Sequence, residues 1–414
     1  MGGMIKFRDT HLDEVHLLPR WRRPDMLLYV MAAAMPISFA TWSALLNNFV
    51  IDVVHFDGVD IGWLQSFREV PGFLAIGVIV VLWVMREQVL ALLSLMLLGA
   101  ATAVTALFPS FGGLILVTLL SSIGFHYFQA VNQSLQLQWI DKAQAPQTLG
   151  RIVAIGSGAS LGAYALLVLT WKSFDLSYEF VYAASGITTM LMVAAAALIY
   201  PQFHTREPQS KKFVLRRRYW LYYAITFMAG ARRQIFVVFA AFMMVERFGL
   251  RVDEISALFL INYAVNMAAA PAMGRFVARF GERRALIAEY VGLTLLFLSY
   301  GGIYWFGWGL WVAAALYVID HLLFALAFAQ KTYFQKICDP GDIAPTAAVS
   351  FTINHIAAVF LPATLGYLWM ISPGAVFGLA AGMAVISLGL ALLVPRHPSK
   401  GYETVLQGLG PVPA

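Results

Sequence analysis

Runs of about twenty mostly apolar residues recur along the whole chain, and this constrains its fold more than any other feature. A helix of that length crosses a hydrocarbon core of ~30 Å. The runs are continuous, whereas a transmembrane barrel would show short alternating segments. Of the 414 residues 60% are hydrophobic and 12% charged, against about 25% charged in soluble domains. So few polar groups cannot cover a water-facing surface, and a bilayer is the expected solvent. Twelve spans are expected, over 27–50, 61–84, 89–107, 113–139, 151–171, 180–200, 219–245, 255–276, 285–306, 310–336, 343–371 and 375–394. The expected class is an all-α membrane protein with twelve transmembrane helices in two pseudo-symmetric six-helix bundles.

Charge placement sets the expected orientation. With the N-terminus cytoplasmic, 22 of the 28 Lys and Arg residues fall in cytoplasmic segments, counting the span ends that adjoin them. The opposite loops hold only Lys172, Arg247 and Arg251, and Arg68, Arg232 and Arg233 lie inside spans. This bias places both termini inside, in a multi-pass protein expected in a bacterial cytoplasmic (inner) membrane. The first 25 residues lack the apolar core and cleavage site of a secretory signal; they read as a cytoplasmic tail ending in the basic anchor Arg20, Arg22 and Arg23. The linker "HTREPQSKKFVLRRR", 204–218, is the richest basic cluster. Topology accounts for it, and no nucleic-acid partner is expected. The division is a tail over 1–26, a bundle over 27–200, a linker over 201–218, a second bundle over 219–395 and a tail over 396–414. The single Cys338 allows no internal disulfide or paired-cysteine metal site.

The halves echo each other. Spans four and ten each carry a histidine (His126, His321), then glutamine-rich sequence, an aspartate and a proline (Pro146, Pro345). Repeated halves are common in secondary transporters, with the ligand site where the repeats meet. The loop "GRFVARFGERR" between spans eight and nine resembles the signature loop of the major facilitator superfamily. Gly274, Arg279, Gly281, Arg283 and Arg284 match its pattern, and Ala278 stands where the family has an acid. The first-half counterpart, from Gly77, keeps little beyond a glycine and Arg86. The glycines permit a tight turn and close helix approach, and the arginines can engage helix C-termini and facing carboxylates. The resemblance implies alternating access around a cavity lined by spans one, four, seven and ten, but no particular substrate.

Ionisable groups inside spans are costly and face a cavity or a partner. Arg232 and Arg233 sit adjacent near the middle of span seven. Arg233 is about 14 residues, roughly 21 Å, along the helix from Tyr219. A centred arginine costs about 2.5–3.5 kcal/mol on insertion scales. Arg233 shares a helical face with Thr226 and Gly230 and is the expected cavity residue, its alternative being a structural ion pair. Arg232 is turned ~100° away and is expected to meet a carboxylate, Asp320 or Glu69. Arginine offers a planar fork of donors and a permanent charge, suited to a carboxylate, phosphate or other anion.

Span four carries His126, Gln129, Gln133 and Gln136 on one face, with Asn132 beside them; a cavity wall and interhelical glue are the two readings. Asn47 and Asn48 lie near the outer end of span one. Asp320 and His321 are adjacent in span ten, either as a proton relay or with Asp320 fixed by an arginine. Arg68 and Glu69, followed by Pro71 and Gly72, repeat the charge-pair theme in span two. Glu289 in span nine and His355 in span eleven complete the set.

The expected function is secondary transport of a small anionic solute, coupled to protons. Substrate contacts are expected from Arg233, Arg232, His126, Gln129, Gln133, Asn132 and Asn48. Proton coupling is expected from Asp320, His321, Glu69 and Arg68, and a gating loop from Gly274 to Arg284. No cofactor, metal or catalytic residue is expected, and the protein is expected to act as a monomer rather than as an enzyme. A broad efflux pump for amphiphiles is the alternative within transport. A membrane enzyme or sensor would need a ligand spacing or nucleophile–base arrangement that the sequence does not present.

Overall fold

An apolar span leaves its backbone amides no partner but each other, so it must be helical, and the computed structural model follows that rule. It describes residues 9–75, 77–140, 145–204, 215–324, 326, 328–339 and 342–407. In chain order the helices begin with α1 (Pro24–Asp52), α2 (Gly58–Phe73), α3 (Gly77–Val81), α4 (Glu87–Val104) and α5 (Phe111–Trp139). They continue with α6 (Ala145–Thr170), α7 (Tyr178–Ile199), α8 (Trp220–Gln234), α9 (Ala241–Glu246) and α10 (Val252–Phe280). The last are α11 (Glu282–Trp305), α12 (Leu310–Phe324), α13 (Phe328–Ile337), α14 (Ile343–Ile371) and α15 (Pro373–Leu392). A π-helical turn, Ile235–Ala240, joins α8 to α9. Most of the basic linker (205–214) and the outermost tail residues (1–8, 408–414) lie outside the described residues.

Starts and stops follow local chemistry. Ser110, Ser177 and Ser372 cap α5, α7 and α15 by accepting the N–H of Gly113, Phe180 and Ala375, as small hydroxyl residues do at N-termini. Pro24 and Pro373 occupy first-turn positions, where the missing N–H is not needed. Gly281, at φ +81°, ends α10 in a conformation that favours glycine.

Among the described residues ten helices are long and apolar enough to span, or eleven if a pair bent by 46° at 269–272 is one span. The expected continuous span over 61–84 is broken: α2 ends at Phe73 and α3 begins at Gly77. Arg68, Glu69 and Pro71 lower its apolar content, and Pro71 withholds a backbone donor. The expected tenth span is present as Leu310–Ile337, carried by α12 and α13.

Contacts divide the chain into two compact units, residues 1–54 with 74–210 and residues 55–73 with 211–414. In the first, α4 packs on α5 and α7, and α1 on α6 and α7. Ser38 donates to Thr189 (2.8 Å), which donates to the Ala34 carbonyl (3.1 Å), so hydroxyls replace solvent between α1 and α7. Strand β1 (Asp9–His11) pairs in parallel with β2 (Gln202–His204), and Gln88 fixes β2 by bonding the Pro201 carbonyl and the Phe203 N–H.

In the second unit α2 runs along α14, α11 along α15, and α8 packs on α14 and α15. The α2–α14 crossing is close enough that a Cβ on Gly62 would lie 2.3 Å from the Pro362 carbonyl oxygen. A Cβ on Gly366 would lie 2.4 Å from that of Gly58. Small residues permit such backbone approach in a bilayer, where packing rather than hydrophobic segregation holds helices together. The Ser66 hydroxyl accepts the Ala363 N–H just beyond Pro362 (2.9 Å).

Candidate functional site

The two arginines of α8 have different surroundings. Arg232 is fully buried and pairs with Glu289 of α11 (3.0 Å). Its guanidinium lies over the rings of Tyr290 (4.9 Å) and Phe324 (5.9 Å) and reaches Ser387 of α15 at 3.5 Å. The expectation of a carboxylate partner holds, but the residue differs: Glu289 takes the place expected for Asp320 or Glu69. Side chains of α11, α12 and α15 enclose the pair.

Arg233 is half-buried and makes no ion pair or hydrogen bond among the described residues. It lies within electrostatic reach of Glu69 and Arg68 of α2. Arg68 bonds Glu69 through Nη2 (2.5 Å) and Nε (3.1 Å). The other Glu69 oxygen is 3.6 Å from Nε2 of His355 on α14, whose Nδ1 meets the Phe351 carbonyl at 2.7 Å. Arg68, Glu69, Arg233 and His355 thus form one ionisable group drawn from α2, α8 and α14.

Two local features hold Arg233 in place. Gly230, one turn earlier, sits so close to α14 that a Cβ there would lie 2.2 Å from the Asn354 carbonyl oxygen. Thr226, another turn earlier, donates to the Tyr222 carbonyl (2.8 Å) and accepts from Gln330 of α13, while Asn354 donates to the Thr226 carbonyl (3.3 Å). The Thr226–Gly230–Arg233 face therefore looks toward α13 and α14. The helix widens to π geometry at Ile235, and such turns are frequent at functional sites. Neighbouring Gln234 is buried with both amide atoms unpartnered among the described residues.

The remaining expected residues lie elsewhere. Asp320 is fully buried and neither oxygen has a hydrogen-bond partner among the described residues. His321 packs against Phe236 (4.8 Å) and Tyr317 (5.3 Å), with Nδ1 3.3 Å from the Tyr317 carbonyl. In the first unit His126 is buried, its Nδ1 2.9 Å from the Ser122 hydroxyl. Gln129 and Gln136 are half-buried and Gln133 exposed, and Asn132 is half-buried with its side-chain oxygen unpartnered among the described residues. Asn47 and Asn48 are buried in the last turns of α1.

The α10–α11 turn places Arg279 and Arg284 on the surface and Gly274 and Arg283 half-buried. Among the described residues none of these arginines pairs with a carboxylate; Glu282 pairs instead with Lys336 of α13 (2.7 Å). A denser charge knot lies at the α13–α14 turn, which the sequence reading did not single out. Arg216 pairs with Asp342, Arg218 with Asp339, and Lys400 with Asp339 (2.6 Å). Tyr219 donates to Asp342 (3.0 Å) and accepts the Asp339 N–H (3.0 Å). The Arg216 hydrogen bond holds the Asp342 carboxyl below its ordinary range, and that of Lys400 does the same for Asp339.

Comparisons with known proteins agree with this architecture. The sequence model described as Major Facilitator Superfamily matches residues 26–362. The xanthosine permease of Escherichia coli (strain K12) is 23% identical over 309 residues, covering 67% of this chain and 71% of the permease. Among solved structures, the nucleoside transporter NupG superposes with a TM-score of 0.70 at 14% identity, over 89% of this chain and 98% of that one. A bacterial homologue of the human lysosomal transporter Spinster, inward-facing and occupied, gives 0.68 at 13% identity, over 94% and 98%. The chain belongs to the Major Facilitator Superfamily and is a multi-pass secondary transporter of that type.

Proposed function

We propose that this transporter moves a small polar solute of the nucleoside class by alternating access, and that Arg233 receives the solute's acceptor-rich edge. The observation that carries this reading is a guanidinium deep in a span, half-buried, without an ion pair or hydrogen bond among the described residues. An arginine fork matches two adjacent acceptors, as it does on the O6/N7 edge of an oxopurine. The likeness to a xanthosine permease and to the nucleoside transporter NupG supports that class. A small organic or inorganic anion is the second reading, favoured by the fixed charge of Arg233.

Coupling to protons is assigned to Glu69 and His355, at 3.6 Å from each other and in the same group as Arg233. Solute arriving at Arg233 changes the field at both, so a proton gained or lost there is linked to solute occupancy. Both termini face the cytoplasm, and the halves joined by the linker over 201–218 move as the alternating bundles.

The test is a thermal-shift panel on purified protein with xanthosine, guanosine, adenosine, cytidine, inorganic phosphate and a dicarboxylate. Stabilisation by oxopurine nucleosides that is lost in Arg233→Gln supports the reading. Stabilisation by phosphate or the dicarboxylate alone moves the assignment to the anion. Unchanged nucleoside affinity in a folded R233Q protein removes Arg233 from the site.

A further inference from the structure

The geometry points to a buried monovalent-cation site, of sodium type, formed by Asp320 of α12 with Asn262 of α10 and Tyr300 of α11. All three side chains are fully enclosed. Both Asp320 oxygens, both amide atoms of Asn262 and the Tyr300 hydroxyl lack hydrogen-bond partners among the described residues. Buried polar atoms are otherwise paired in folded proteins, so five unpaired atoms on three adjoining helices require an explanation.

The three side chains lie on helices that pack against one another. Helices α10 and α12 pack together, and as alternate spans they run in the same direction. Phe259 of α10 stacks on Tyr317 of α12, ring centroids 6.0 Å apart. Three residues further along each helix, nearly one turn, Asn262 and Asp320 occupy matching positions. Tyr300 lies within electrostatic reach of Asp320 from α11. One turn beyond Asp320, the Phe324 ring carries the Arg232 guanidinium at 5.9 Å.

Charge balance selects the ligand. Arg232 is neutralised by Glu289 at 3.0 Å, which leaves Asp320 as the uncompensated charge of the group. An isolated buried carboxylate is too costly to persist without a partner. A proton would also remove the charge, giving a carboxyl that donates one hydrogen bond, and the test separates this rival by its dependence on pH rather than on sodium. A divalent ion would overcompensate. One monovalent cation, held by oxygens of Asp320, Asn262 and Tyr300, balances the charge and gives four of the five unpaired atoms a partner, since hard cations select carboxylate and carbonyl oxygen. Full enclosure excludes an organic cation. The site is separate from the Arg233 group and does not depend on what the solute is.

The test measures thermal unfolding of the purified full chain without solute, at fixed pH, as sodium chloride replaces choline chloride at equal ionic strength. The expected result is a midpoint that rises and saturates with sodium, as for any ligand that binds the folded state alone. Asp320→Asn is expected to abolish the sodium response, and Tyr300→Phe to shift it to higher sodium. Asn262→Ala, which keeps the carboxylate, is expected to weaken it and carries the test if D320N does not fold. Equal wild-type midpoints in the two salts overturn the proposal. So does a sodium response that survives unchanged in the variants, or a response to pH alone that D320N removes.

Discussion

Arg232 and Arg233 are adjacent in sequence and opposite in circumstance. Arg232 is sealed against Glu289, so replacing one partner strands the other charge in a dry interior; such a loss costs about 3–5 kcal/mol. Glu289→Gln is therefore expected to lower the thermal midpoint sharply, while Glu289→Gln combined with Arg232→Met recovers much of it. Arg233 has no ion pair or hydrogen bond among the described residues to strand. Arg233→Gln is expected to leave the midpoint near wild type and to weaken solute binding about 10- to 100-fold, the scale of a lost charged hydrogen bond. The ~100° separation of the two was legible from helical periodicity alone. The identity of Arg232's partner was not, because Glu289 reaches it from a different helix and sequence spacing carries no information about that pairing. Asn262 shows the same limit: it is one polar residue in an apolar run, and only the register of α10 on α12 gives it meaning.

At the scale of elements, α8 joins close packing to irregular geometry. Its Gly230 face meets α14 with no room for a methyl group, and its register changes through the π turn immediately after Gln234. Gly230→Ala must push α8 from α14, and overpacking of this kind costs about 1–3 kcal/mol. It is expected to lower both the thermal midpoint and the solute affinity, because Arg233 is carried on the displaced face; a midpoint equal to wild type would show that Asn354 yields freely. Composition made the apolar spans plain, with their lengths close to those observed. It did not reveal that α2 and α3 are separate, since a break at 73–77 depends on how Pro71 and the Arg68–Glu69 pair are accommodated. Nor did it reveal β1, a three-residue strand stabilised by pairing with β2 rather than by its own propensity.

For the molecule as a whole, the knot at the α13–α14 turn ties the end of the linker and the C-terminal segment to one pair of aspartates. Lys400 reaches Asp339 (2.6 Å), and the Tyr333 hydroxyl donates to the Glu403 carbonyl (2.6 Å). Asp339 and Asp342 are held below the ordinary carboxyl range by their cationic partners. A carboxyl lowered in the folded state contributes stability that is complete above its unfolded value, ~3.9 for Asp. That contribution is lost as pH falls through the lowered folded value. The midpoint difference between wild type and Asp342→Asn is accordingly expected to be constant from about pH 5 to 8 and to shrink below about pH 4. A difference that instead grows on acidification would contradict this assignment. The family was legible from the loop at Gly274–Arg284, whereas the ion pair that forms beside it, Glu282 with Lys336 of α13, was not, because its partner comes from another helix.

Counterflow in proteoliposomes tests whether Arg233 is the solute contact of a nucleoside-class transporter. Vesicles loaded with unlabelled xanthosine or guanosine are diluted into trace labelled nucleoside, with wild type and Arg233→Gln reconstituted at equal density. Wild type is expected to accumulate label transiently, and R233Q at the same folded fraction to accumulate none above empty vesicles. Accumulation by R233Q equal to wild type, or none by wild type with either nucleoside, would contradict that role.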